Sequence, residues 1–440
     1  MPEQVAWQLT VDFAFANLPW MPSALPANLK PLDRSRDVMV TGLGMVTALG
    51  CGWRVNADGF RSGDSGIRAV TLFDTSGFNV HRAGEVALPE RIPTGELSPG
   101  ETRRLERGGR MLLLAADEAA RQAGIGVGTQ WRDFDVVIGT SAGAMTHGEN
   151  FYREAMADHR GADQASRAAS YLMGRQAGLV ARAHGLTGES VIISNACASG
   201  ANAIGQARQM IVTGRAERVL AGGYDALCEL VFGGFDSLKA LSRTTPRPFD
   251  AQRDGLALGE GAAMLVLESR ASAEARGAEI LAVVAGYGFS TDCHHLTQPH
   301  PEGDAAFASM TMACRDAGVE PAAVQYINSH GTGTPLNDPA EAAAIRRWAG
   351  EEVAAGIAVS STKGAIGHVL GGAGAIEAAI CVLALHEAFL PPTAHTTTVD
   401  PCCCFDLVLA PRAAELDCVL TNSFGFGGSN ASLVFRKEGK

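Results

Sequence analysis

Four short apolar segments that close on small residues occur twice in this 440-residue chain, in the same order each time. Residues 38–44 have a counterpart in 283–288, 135–140 in 324–329, 191–195 in 358–362, and 218–223 in 418–423. One such match is cheap, because a strand followed by glycine is common. Four in register point to two halves built on one topology. Ala- and Leu-rich stretches with helical spacing lie between them, and that alternation marks an α/β fold. The expected organisation is an N-terminal extension over 1–36, a first half over 37–279 and a second over 280–440. The extension is rich in proline and orders only if Trp7, Phe13, Phe15 and Trp20 find a surface to cover. The first half carries extra material around 144–175 and 225–255, expected to form a cap or a partner surface.

Composition excludes several classes. With 36 basic against 47 acidic side chains the net charge is −11, so general nucleic-acid binding, which needs a basic face, is not expected. The 52 glycines show no collagen-like period and serve tight turns and close packing instead. The longest apolar run, 373–385, is interrupted by Glu377 and falls short of the roughly 20 residues a membrane span needs. No Lys or Arg precedes Lys30, unlike a signal peptide, and the cytoplasm is the expected compartment. Ten irregularly spaced cysteines do not resemble a disulfide framework. Asp292-Cys293-His294-His295 and Cys402-Cys403-Cys404 contain ligand types without the paired spacing of a zinc site, so loop or structural roles are expected for them.

Three side chains stand out for chemistry. Cys197 follows an apolar run and small residues and precedes a helical pattern. A thiol at a helix start meets the positive end of the dipole, which favours the thiolate. A lone cysteine is more often a buried apolar residue, but His330 and His368 both fall at strand ends in the second half, and Cys197 falls at the equivalent place in the first. Ligands in α/β sheets are handled at the carboxyl ends of strands, so a Cys-His-His site is expected. The turn 422–430, with Phe424 and Phe426, is either a tight strand connection or a mobile gate whose N–H groups face an oxyanion.

Taken together, the Cys197 elbow, the segment opening Arg247-Pro248-Phe249-Asp250, His330-Gly331-Thr332-Gly333-Thr334-Pro335, the stretch from Lys363 to His368 and the turn 424–430 resemble the β-ketoacyl-[acyl carrier protein] synthases, in particular the elongating enzymes of the thiolase superfamily. The resemblance spans about residues 38–435. It implies a thiolase-like duplicated fold layered α/β/α/β/α. It implies that Cys197 takes an acyl group from the phosphopantetheine arm of an acyl carrier protein, and that decarboxylation of a malonyl thioester then yields the enolate that attacks it. By the same resemblance His330 and His368 would stabilise that enolate, Lys363 and Glu341 would support them, and Thr332 and Thr334 would contact the pantetheine. Ala142 and Phe235 would line the substrate path. The N–H groups of Cys197 and Phe426 would form the oxyanion hole, with the Phe426 ring as gate.

Arg103, Arg104, Arg107 and Lys239 are the expected carrier-docking residues, the arginines opening one helix that runs on through Leu112. The family implies a homodimer or a heterodimer with a chain-length factor, and no cofactor beyond the carrier's own arm. Ile366 stands where a small polar residue is common, and Ala142 replaces a bulkier aliphatic. These departures and the leader point to a specialised pathway, such as type II polyketide or aryl-polyene synthesis, with a roomier acyl channel. A papain-like protease would place its cysteine near the mature N-terminus of a disulfide-bearing chain. A biosynthetic thiolase would carry a second cysteine in the C-terminal loop, which here has none. A non-catalytic chain-length factor would lack Cys197.

Overall fold

Glycine decides how closely helices approach the sheet. A Cβ at Gly42 or Gly44 would lie 2.2 Å from the Ala119 carbonyl oxygen or 1.9 Å from that of Ala115, and one at Gly286 or Gly288 would lie 2.1 Å from those of Ala313 or Ser309. These glycine pairs belong to the first repeated segment, so the repeat preserves one helix-on-strand contact in both halves. The computed structural model describes residues 34–125, 132–158 and 171–439. The leader therefore lies outside the described residues except for its last three positions, as does part of the 144–175 insertion. Ser35–Lys440 forms one unit.

Its main strands are β1 (Val38–Thr47), β2 (Asp135–Gly139), β3 (Ser190–Ile193), β4 (Arg218–Asp225), β5 (Gly261–Ser269), β6 (Ala282–Thr291), β7 (Tyr326–Asn328), β8 (Ala358–Ser360), β9 (Cys418–Phe424) and β10 (Ser429–Arg436). They follow the order β8-β7-β9-β10-β6-β1-β5-β4-β2-β3. Reading outward from the centre, β1-β5-β4-β2-β3 is matched by β6-β10-β9-β7-β8, each strand pairing with the one five places later in the chain. The four repeated segments occupy equivalent strands. The halves join through a short antiparallel contact, Met39 with Val283 and Val40 with Ala282. In each half the outer strands run parallel, β2 with β3 and β4, and β7 with β8 and β9. Their carboxyl ends share one edge.

The principal helices are α1 (Arg107–Gln122), α2 (Ser199–Val212), α3 (Glu229–Ser237), α4 (Asp304–Ala317), α5 (Asn337–Ala349), α6 (Lys363–Ile366) and α7 (Ala373–Glu387). α7 is buried from Ala373 through Leu385, and α2 from Ser199 through Gly205. A helix apolar on all sides belongs inside, and these two form the central layer, packed on each other and on strands of both halves. α1 covers β1 and β5 on one outer face, while α4 and α5 belong to a separate core with β7 and β9 on the other. The stretch Leu370–Glu387 is long and apolar enough to cross a membrane, but 89% of it is buried inside this fold.

The arginine-rich segment differs from expectation. Pro99–Thr102 is a separate short helix with a capping box from Ser98 and Glu101. α1 begins anew at Arg107, where the Glu106 carboxylate accepts the N–H groups of Gly108 and Gly109. Two local caps win over continuous propensity there.

Candidate active site

Cys197 sits at the turn between β3 and α2. Ala196 takes φ 57°, a left-handed conformation that costs a non-glycine residue roughly 1–3 kcal/mol. The turn is held by Ser199, whose Oγ accepts the Asn195 N–H at 2.9 Å and donates to the Ala196 carbonyl at 2.5 Å. Cys197 is buried, at 7% exposure. The expected thiolate is not favoured: burial pushes the Cys197 thiol up to about 12, against the attraction of Lys363 and a hydrogen bond from the Phe426 N–H. Removing a sulfur anion from water outweighs the partial charge of a helix start.

His330 follows β7 and His368 follows α6. Their rings lie 5.3 Å apart and nearly perpendicular, at 82°. Glu341 on α5 accepts the backbone N–H groups of His330 and Gly331, each at 2.8 Å, and the Asn422 amide at 3.2 Å. Lys363 Nζ donates to the His330 carbonyl at 2.6 Å, lies 3.4 Å from His330 Nδ1 and forms an ion pair with Glu377 on α7. The backbone of His368 is pinned by Ala257 and Gly259, its N–H donating at 2.8 Å and its carbonyl accepting at 2.9 Å. Burial, then the Lys363 charge, hold both imidazoles well below the usual histidine range, and His368 adds to the effect on His330. Both rings are neutral at physiological pH.

The three side chains line one cavity of about 300 Å³, together with Thr332, Thr334 and Phe426. Thr332 and Thr334 hydroxyls share a 2.8 Å hydrogen bond. Phe235 also borders the cavity, its ring stacked on Phe426 at 5.7 Å. Lys239 lies at the solvent end beside the exposed Leu238, Leu296 and Leu336.

Two expected residues fall elsewhere. Arg107 does not face solvent: its guanidinium donates to Glu260, whose carboxylate is fully buried, and to the Val86 carbonyl. An arginine that neutralises a buried carboxylate serves the interior, where breaking the pair is costly. Ala142 does not border the cavity, and its N–H donates to Asp225. Arg103 and Arg104 are exposed.

Sequence reasoning missed Asp225 and Glu377 as site residues. Asp225, at the end of β4, accepts from Thr140 Oγ1 at 2.6 Å and from the N–H groups of Ser141, Ala142 and Gly371 at 2.9, 2.9 and 2.7 Å. It thereby ties the turn after β2 to the segment following His368. Burial raises its pKa to about 6. The signal for Glu377 was present as one charge inside an apolar helix; its meaning depended on which helix face met Lys363.

The chain matches the family model "Beta-ketoacyl synthase, N-terminal domain" over residues 35–273 and "Beta-ketoacyl synthase, C-terminal domain" over 281–397. It is 36% identical to a 3-oxoacyl-[acyl-carrier-protein] synthase 2 of Staphylococcus aureus (strain COL), covering 92% of this chain and 99% of that one. Among solved structures it resembles the ishigamide ketosynthase/chain length factor, with TM-score 0.86 and 34% identity over 92% of this chain and 100% of that chain. It also resembles a type II PKS acyl-carrier protein in complex with its ketosynthase bound to the hexaketide, with TM-score 0.82 and 30% identity over 91% of this chain and 99% of that chain. A duplicated sheet that delivers a cysteine, from a turn strained at Ala196, and two neutral histidines to one cavity, matched along nearly the whole chain in sequence and in structure, makes this protein a member of the β-ketoacyl synthase family.

Proposed function

We propose that this enzyme is an elongating β-ketoacyl-[acyl carrier protein] synthase: it accepts an acyl group on Cys197 and condenses it with a malonyl thioester, lengthening the chain by two carbons. The observation that carries this reading is the convergence of Cys197, His330, His368 and the Phe426 N–H on one cavity.

In this reading each group has its own work. The resting sulfur is a thiol, so attack on the incoming thioester is coupled to loss of its proton to a neighbouring neutral imidazole. As the tetrahedral oxyanion forms, the N–H of Phe426, which lines the cavity beside Cys197, becomes a donor to it. Decarboxylation of the malonyl thioester builds negative charge on the thioester oxygen. Lys363 beside Nδ1 of His330 keeps that nitrogen an acceptor, so the ring proton sits on Nε2 and is available to the enolate. His368 supplies a second neutral donor. Two imidazole donors supply this stabilisation from the chain itself, so the reading includes no cofactor beyond the pantetheine arm of the carrier. Loss of CO2 leaves the enolate carbon to attack the acyl carbonyl on Cys197, and the sulfur departs.

The partner in this reading is an acyl carrier protein, with Arg103, Arg104 and Lys239 as docking cations and Thr332 and Thr334 on the pantetheine arm. Assembly is as a dimer of two copies or with a chain-length factor, in the cytoplasm, with the halves dividing near residue 280. A specialised type II pathway is the second reading. It is favoured by the likeness to a ketosynthase bound to a hexaketide.

Intact-mass measurement after incubation with acyl carrier substrates tests the nucleophile: Cys197→Ala loses the acyl adduct, and an adduct persisting at the wild-type level would overturn the assignment. A substrate panel of increasing acyl length separates the pathways. Exclusive use of acetyl would remove the specialised reading.

A further inference from the structure

Asp225 closes β4 with a fully buried carboxylate that the proposed chemistry does not use. Among the described residues it pairs with no cation; four donors satisfy it instead. Oδ1 accepts the Thr140 hydroxyl and the Ala142 N–H, and Oδ2 accepts the N–H groups of Ser141 and Gly371. A buried charge without a counter-ion is costly even when its hydrogen bonds are complete, so stability alone is a weak reason for a carboxylate at this place.

Its place is the junction of the two halves. A Cβ at Gly371 would strike the Ser141 amide nitrogen, and one at Gly139 would strike the Ser199 backbone. One at Gly200 would lie 2.6 Å from the Ala375 nitrogen and 2.9 Å from the Gly371 carbonyl oxygen. The turn after β2, the start of α2 just beyond Cys197 and the segment just beyond His368 therefore meet backbone on backbone, and a shift of one is passed to the others. Leu370, between His368 and Gly371, takes φ 50°, a left-handed conformation that persists only where its surroundings hold it. The bond from the Gly371 N–H to Oδ2 holds its far side. His368 is thus fixed on one side by Ala257 and Gly259 and on the other by Asp225. Glu341 does the like for His330, accepting the N–H groups of His330 and Gly331. Each imidazole of the site has one buried carboxylate on its backbone.

We propose that Asp225 is a positioning residue for the condensation: through Gly371 it sets where the His368 ring stands relative to Cys197. This role rests on the reading of His368 as a donor to the enolate oxygen. Loss of the carboxylate leaves the Ser141, Ala142 and Gly371 N–H groups without their acceptor and lets the Leu370 turn relax. His368 then leaves its place, and a misplacement of about 1 Å can cost about 10²-fold in rate. None of the Asp225 bonds reaches Thr332, Thr334 or Lys239, so the effect falls on turnover and not on uptake of the carrier-bound substrate.

The test measures malonyl decarboxylation with carrier-bound substrate on the full-length enzyme. A wild type that releases no CO2 would overturn the condensation reading and the positioning role with it, whereas the variants test the positioning role alone. Asp225→Ala should lower kcat by up to about 10²-fold, with KM within about twofold of the wild type. A double-mutant comparison then separates positioning from a general structural role. In a His368→Ala background, Asp225→Ala should cost no more than about a further twofold, because the imidazole it positions is gone. In a His330→Ala background it should cost as much as it does in the wild type. Equal losses in both backgrounds would assign Asp225 to the fold at large and overturn the proposal. An unchanged kcat, or a raised KM with kcat unchanged, would also overturn it. Asp225→Asn keeps the volume and one acceptor oxygen; it should lose about three- to tenfold, and it carries the same comparison if the alanine variant does not fold.

Discussion

Lys363 Nζ donates to the His330 carbonyl oxygen at 2.6 Å and stands 3.4 Å from Nδ1 of the same residue. One ammonium thus holds the His330 backbone and stands beside its ring, while Glu377 balances its charge. Its charge also opposes protonation of both histidines. This makes Lys363 a positioning residue whose loss has a readable signature.

Replacing Lys363 by Met removes the second largest cause, after burial, that keeps both imidazoles neutral. Their pKa values then move up toward the ordinary histidine range. Activity should consequently fall at a higher pH on the acidic side than in the wild type. A pH profile of malonyl decarboxylation checks this; an unchanged acidic limb would mean that burial alone sets their protonation.

In the proposed mechanism, His330→Ala and His368→Ala each remove one donor to the enolate oxygen. Loss of one such donor costs about 10²–10³-fold in rate. The decarboxylation rate should fall by that factor while acylation of Cys197 remains detectable by mass. CO2 release unchanged in both variants would remove the pair from the mechanism.

Glu106 is buried, and burial raises its pKa from 4.5 to about 7. The unfolded chain would hold this proton only up to about 4.5, so the folded state binds the extra proton between those values. The stabilisation from keeping it neutral is complete below pH 4.5 and is lost as pH rises through 7, on the order of 3 kcal/mol in all. Glu106→Gln should flatten the dependence of thermal stability on pH in that window. A slope identical to the wild type would assign the dependence to other carboxylates, among them Glu341 and Glu377, which burial also raises to about 7.

Arg103 and Arg104 are exposed, unlike Arg107. Exposed charges act mainly on encounter and are screened by salt. Reversing both to Glu should raise KM for the carrier-bound substrate several-fold at low ionic strength, with turnover on a short pantetheine thioester nearly unchanged. Equal losses on both substrates would show that the arginines serve the fold.

The two-half repeat and the candidates Cys197, His330 and His368 were legible in the sequence, because strand-plus-glycine segments and small-residue turns are local patterns, whereas the order of strands across the sheet was not. The glycine pairs 42/44 and 286/288 are legible for the same reason: close helix approach admits no side chain. What sets the chemistry was not local. Glu377 reaches Lys363 from fourteen residues away, and Asp225 reaches Gly371 across 146 residues. Only packing decides that Arg107 turns inward to Glu260 and that Ala142 leaves the cavity wall. The protonation of Cys197 is likewise a tertiary property: the chain places a thiol near a helix start, but desolvation by the surrounding core determines that it rests as a thiol.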